Sequence, residues 1–278
     1  MSTSAEPLTR SDPPSYTEVL PSPGLAPWIE CFWSIHAGPG PSLLNRVLPD
    51  GCSDLIVGVG GSPAAMIVGT MRTALVVPLA GPATLLGVRF HPGAALRTFD
   101  TPLTELTDRR IPLDALWGSA ADELSTALAQ ATGPTGTRRA ERILAKRLVC
   151  AETSLQSDEA LAERAVELFR RARGGIGVRE AAAALGVGER RLQRAFDRSV
   201  GLSPKGLARV LRFRRALRGL DEAGGGPVSW ARLAALAGYA DQPHFIRDFR
   251  ALAGVTPAAY LRERQAVGFV QYEGTSTG

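Results

Sequence analysis

Between Trp28 and Phe90 the apolar positions come in short aliphatic and β-branched runs: WIECFWSI, LLNRVL, DLIVGV, AAMIVG, ALVVPL and ATLLGVRF. Clusters of Gly, Pro, Asp and Ser separate them, among them AGPGPS, PDGCS, GGSPA and LAGP. Short runs at this spacing, with turn residues between, predict an antiparallel sandwich or barrel. Beyond Phe90 the period changes. TPLTELTD and ALWGSAADELSTALAQA carry apolar residues at helical spacing, GPTGT breaks the pattern, and RRAERILAKRLVC resumes it. Polar residues gather near Glu152–Asp158, and we place a domain joint there. From Ala160 to about Gln265 the chain reads as helices with short turns. The expected domains are a β-rich unit with trailing helices over 28–155 and an all-helical unit over 158–267. Residues 1–27, rich in Pro and Ser, read as a flexible tail, as do 268–278.

The helical half repeats itself. GVGERRLQRAFDRSVG begins at Gly186 and GYADQPHFIRDFRALAG at Gly238, and one inserted residue brings them into register. Phe196 then matches Phe249, Gly201 matches Gly254, and Leu202-Ser203-Pro204 matches Val255-Thr256-Pro257. Two copies are too few for a solenoid, which needs three or more to bury its core. Each copy instead fits a helix-turn-helix, which needs a small residue at the crossing and a glycine in the turn. The first copy has VREAAAAL with Ala182 at the crossing, then Gly186. Leu192, Ala195 and Phe196 share the inward face of the next helix, while Arg190, Gln193, Arg194 and Asp197 share the outward one. In the second copy Ser229 caps WARLAALA, Ala234 sits at the crossing and Gly238 at the turn. Asp241 is the expected N-cap and Pro243 lies in the first turn, where proline costs little. Phe245, Phe249 and Leu252 face in; His244, Arg247 and Ala251 face out.

Charge sharpens this picture. The formal net charge of +5 is unevenly spread: residues 1–157 hold 12 Lys/Arg against 14 Asp/Glu, and residues 158–278 hold 20 against 13. The positive surplus belongs to the half with the repeat, the footprint of a polyanion binder. Arginine can grip guanine O6/N7 with two bonds, and glutamine can do the same for adenine N6/N7. Arg190, Gln193, Arg194, His244 and Arg247 are therefore the candidate base readers. Arg209, Arg212 and Arg215, in ARVLRFRRALR, are candidate phosphate contacts, which set register without reading sequence. An Arg-bearing amphipathic helix is ordinary by itself; two in register on the basic half are not.

The segment ADQPHFIRDFRALAGVTPAAYLR resembles the closing signature of the AraC/XylS-type DNA-binding domain, through Gly238, Tyr239, Asp241, Phe245, Phe249, Gly254, Thr256, Pro257 and Tyr260. LGVGERRLQRAFDRSVGLSP fits that family's first helix-turn-helix, so the likeness covers about residues 160–265. The resemblance implies two helix-turn-helix units joined by a rigid linker helix, with recognition helices entering successive major grooves of double-stranded DNA about 34 Å apart. It places the base-facing positions on Arg190, Gln193 and Arg194, then on Pro243, His244 and Arg247. It further implies a promoter-binding regulator that activates more often than it represses, works with RNA polymerase, and carries no catalytic site. LPDGCSDLIV, LLGVRFHPGA and LTELTDRRIPLDALWG resemble an uncharacterised N-terminal domain attached to such regulators. In the family the first domain is a sensor, often a cupin-like barrel, with room for a small-molecule effector or a homodimer contact.

Trp33, Arg46, Arg89 and His91 are the candidate effector-pocket residues, with Asp50, Cys52 and Asp54 beside them. Each has a plain alternative: Asp50-Gly51 as a turn, Cys52 as a small core residue, Arg89 as a strand charge. A metal-dependent cupin enzyme needs clustered His and carboxylate ligands; here His36 and His91 stand singly, and no metal or cofactor is expected. A thiol- or alkylation-responsive sensor needs an activated cysteine, and carboxylates beside Cys52 work against the thiolate. Cys31, Cys52 and Cys150 form no CxxC spacing, the N-terminus lacks an apolar leader, and Ala64–Val88 is too broken to span a membrane. A cytoplasmic location is the expectation.

Overall fold

The computed structural model describes residues 14–40, 43–59, 64–79, 81–130, 134–152, 157–224 and 228–267. Strands β1 (Ser15–Val19), β2 (Ile29–Ala37), β3 (Leu43–Val47), β4 (Ser53–Val59), β5 (Ala65–Val68), β6 (Leu75–Leu79), β7 (Ala83–Phe90) and β8 (Arg110–Pro112) make two sheets. The larger runs β1-β2-β7-β4-β5-β8 with antiparallel neighbours, and β3 pairs with β6 in the smaller. Alternation along the strands assigns the faces. Cys31, Trp33 and Ile35 of β2 bury against Leu79 of β6, so the small sheet covers that face. Phe32, Leu55, Val57, Ile67 and Val88 point the other way, onto the helices.

Those helices are α1 (Ala95–Phe99), α2 (Leu103–Leu106), α3 (Asp114–Trp117), α4 (Ala120–Ala129) and α5 (Pro134–Glu152). The run expected as one helix around Trp117 is two, because Gly118 takes φ +55° between α3 and α4. Two strands escaped the sequence reading. β1 falls inside the expected tail 1–27, yet it pairs along its length with β2, from Ser15↔His36 to Val19↔Phe32. Leu25, also in that segment, is buried. Pro and Ser around SYTEV hid its alternation. β8 is only three residues long and contains a proline, which an edge strand tolerates. The expected tail 268–278 lies outside the described residues.

The helical half follows as α6 (Ser157–Arg171), α7 (Val178–Ala184), α8 (Glu189–Ser199), α9 (Pro204–Glu222), α10 (Trp230–Leu236), α11 (Gln242–Ala253) and α12 (Pro257–Val267). The fold is thus a β-rich domain followed by an all-helical one. One apolar core runs through the helical part, and α9 lies at its centre with Leu207, Val210, Phe213, Ala216, Leu217 and Leu220 buried. α6 and α8 pack against α9, with α7 resting on α6 and α8, and α10 and α11 pack against α9 as well. Ser203 caps α9, its hydroxyl accepting from Gly206 N, with Pro204 at the first helical position.

Candidate nucleic-acid interface

The repeat seen in sequence is a repeat in backbone geometry. Gly186 and Gly238, in the two turns, have φ +69° and +83°; Gly201 and Gly254, after the two following helices, have φ +76° and +75°. These values lie in the left-handed region that glycine enters without a Cβ penalty. Ala182 and Ala234 are buried at the two crossings. In α11, Asp241 Oδ1 accepts from His244 N at 2.6 Å, the expected cap.

Burial of Leu192, Ala195 and Phe196 turns the rest of α8 outward. Arg190 and Arg194 are exposed; Gln193 and Asp197 are half-buried. Gln193 Nε2 donates to Asp197 Oδ1 at 2.7 Å, so the carboxylate one turn on fixes the direction of the amide. On α11, Phe245 and Phe249 are fully buried and Arg247 is exposed. The repeat register sets Arg247 opposite Arg194. His244 is half-buried, with its ring edge-on to Tyr239 at 5.3 Å between centroids. Arg250 is exposed and stands opposite Asp197, on the Arg247 face. Sequence reasoning passed over it, although the register already pointed to it.

The three arginines expected to face phosphates do not behave alike. Arg209 Nε donates to Asp248 Oδ1 at 2.7 Å, and Asp248 is buried on α11. Arg212 Nη1 donates to the Gly174 carbonyl at 2.9 Å, before α7, and its guanidinium lies 5.7 Å from the Tyr239 ring centroid. These two therefore lock α9 to both units, a role that the sequence does not announce. Arg215 remains half-exposed on α9. Phe213 of α9 meets Phe249 of α11 edge-to-face at 5.0 Å, adding an aromatic tie.

Of the four expected effector residues, the structure brings two together. Trp33 Nε1 donates to Asp54 Oδ1 at 2.7 Å, and Arg89 Nε donates to the same oxygen at 3.2 Å. Arg89, almost wholly buried between the sheets, also pairs with Asp50 at 3.4 Å and Glu18 at 3.8 Å. The Trp33 indole crosses Gly87, where any side chain would collide with it. Arg46 and His91 go elsewhere. Arg46 holds Glu263 of α12 through Nε and Nη2 at 2.9 and 3.1 Å. Arg170 of α6 donates to His91 Nδ1 at 3.3 Å, which leaves Nε2 to donate to the Ala26 carbonyl at 3.2 Å. Glu263 and Arg170 lie in the other domain, a fact no local pattern carries.

Cys52 is buried and its thiol donates to Glu30 Oε2 at 3.1 Å. Burial, then Asp50 and Glu30, push its pKa well above the ordinary thiol value, the opposite of activation. Among the described residues no group of three His, Cys, Asp or Glu is placed to hold a metal ion, and no helix is long and apolar enough to cross a membrane.

Two helix-turn-helix units with outward arginines, held on one helix, define a DNA-binding protein of the transcription-regulator class. Residues 181–263 match the family profile of the helix-turn-helix domain, and residues 17–112 match that of a domain of unknown function (DUF6597). The C-terminal part is an AraC-type helix-turn-helix domain. No curated protein matches the sequence. Solved structures similar to this chain include ToxT from Vibrio cholerae O395, at 10% identity over 82% of this chain and 95% of that one, with a TM-score of 0.41. ToxT of V. cholerae strain SCE256 bound to an unsaturated fatty acid has 12% identity over 83% and 93%, with a TM-score of 0.40. ToxT of strain O395 bound to (E)-4-(8-methylnaphthalen-1-yl)but-3-enoic acid has 11% identity over 91% and 99%, with a TM-score of 0.43.

Proposed function

We propose that the chain regulates transcription by reading two successive major grooves of one promoter site with α8 and α11. The observation that carries this reading is a shared outward arginine: Arg194 and Arg247 occupy the same repeat position, and both are exposed. Arg190 and Gln193 add base readers on α8, and His244 and Arg250 flank Arg247 on α11. Residues 158–267 form the DNA-binding unit, with α6 included because it packs along α8. The β-rich part, from β1 through α5, is the sensor. Its buried Arg89 cluster reaches the helical domain through Glu30, which lies 3.9 Å from Arg214 of α9. Activation by engagement of RNA polymerase, with control by a small-molecule effector or dimerisation, completes the reading.

Selection of sites from random duplex DNA with the full-length chain, at stated salt, tests it. The expected result is a motif of two short boxes about one helical turn apart. A population that binds only through salt-sensitive, sequence-indifferent contact would overturn the reading.

A further inference from the structure

The repeat register pairs Val200 with Ala253, the residues just before Gly201 and Gly254. Both carbonyls end a recognition helix, where the last C=O groups have no partner in their own helix. Both accept a hydrogen bond from the β-rich domain. Thr70 Oγ1 donates to Val200 O at 3.1 Å, and Arg46 Nη1 donates to Ala253 O at 3.0 Å. Each contact has a second beside it. Thr107 Oγ1 is shared between Gly201 O at 2.9 Å and Leu103 O at 2.8 Å, and Ala74 N donates to Leu252 O at 2.7 Å.

These contacts are built. Thr70 is buried, and its hydroxyl lies 3.2 Å from that of Ser53, which can donate to it and leave its proton for Val200. Arg46 is anchored by both oxygens of Glu263, and its positive charge sits at the negative end of α11. Gly201 is approached so closely that a Cβ there would fall 2.6 Å from Thr107 Oγ1 and 2.8 Å from Leu103 O. Within the helical domain the extensive packing between the two units runs through α9. The β-rich domain therefore supplies a second bracket, fastened at equivalent points of the two readers.

We infer that Thr70, Thr107 and Arg46 are positioning residues for DNA recognition: Thr70 and Arg46 cap α8 and α11 at equivalent carbonyls, Thr107 holds the carbonyl after the first of these, and together they fix the separation of the two readers, and so the operator spacing the protein accepts. This rests on the two-groove reading for its DNA consequence but not for its mechanics. Moving the second box by one base pair turns it about 35° around the duplex, since a turn holds about 10 base pairs. A rigid pair of readers cannot follow; a loosened pair can.

Two measurements on the full chain decide it. First, spin labels placed by non-canonical amino acids at the exposed Ala184 and Ala235 report the distance between the units without DNA. A narrow distribution is expected for wild type and Thr107→Ser, and a broader one for Thr107→Val and Arg46→Ala with their melting transitions kept cooperative. A distribution equally narrow in all four, or Thr107→Ser as broad as Thr107→Val, overturns the inference. Second, the selected site is lengthened or shortened by one base pair between its boxes. Wild type should lose about tenfold or more in affinity and Arg46→Ala about threefold or less, where tenfold corresponds to about 1.4 kcal/mol. Equal losses overturn the inference. A wild type indifferent to box spacing refutes the two-groove reading instead, and the distance measurement still decides the bracket.

Discussion

At the scale of single residues, exposure and partnership sort the arginines into readers and struts. Arg194 is exposed on the outward face of α8, so Arg194→Ala should cost about 1–3 kcal/mol on the selected site and relax preference at one position. Equal weakening on random DNA would end its claim to read a base. Arg215→Ala should instead weaken all sequences alike and flatten the salt dependence of binding, read from a titration of affinity against salt. Arg209→Ala belongs to neither kind. It strands the buried Asp248 carboxylate, and we expect about 1–3 kcal/mol of lost stability in denaturant melts before any DNA is added. Helical periodicity shows which way a side chain points. It does not show that Asp248, 39 residues away, closes on Arg209. The outward face of α8 was therefore legible in the sequence, and the fate of Arg209, Arg212, Arg46 and His91 was not.

At the scale of elements, the turn glycines, the crossing alanines and the Asp241 cap all stand where the sequence puts them, because each answers a local backbone demand. The β-domain was less legible. β1 and β8 are edge strands whose pairing depends on β2 and β5, and neither has an apolar run long enough to announce itself. The aromatic core of the second unit offers the clearest test. Phe249 is fully buried and meets Phe213 at 5.0 Å, Phe245 at 5.7 Å and Tyr260 at 5.7 Å. Phe249→Ala should cost about 3–5 kcal/mol, measured by chemical denaturation. Because the partners lie on α9, α11 and α12, the loss should also free α11 from α9. A change in stability under about 1 kcal/mol would mean the cavity collapses and the aromatic tie is dispensable.

At the scale of the whole molecule, acid should act on the seam between the domains. Burial alone would raise the Glu30 carboxyl, but Arg214 and Arg89, with help from the Cys52 thiol, bring it down to about 2 from an ordinary 4.5. A depressed carboxyl stabilises the fold above its unfolded pKa and loses that contribution as pH falls through the folded one. Stability should therefore drop between about pH 4.5 and 2, by up to about 3 kcal/mol for this group. Glu30→Gln should flatten that stretch of the profile, as read from melts across the range. An unchanged profile would show that Glu30 does not hold Arg214 in the folded chain.

Five consecutive residues, Thr70 to Ala74, touch both reading units, the first at Val200 and the last at Leu252. Whatever displaces that segment acts on both units from one place, so, on the two-groove reading, a single event in the β-rich domain would be felt at both boxes of the site.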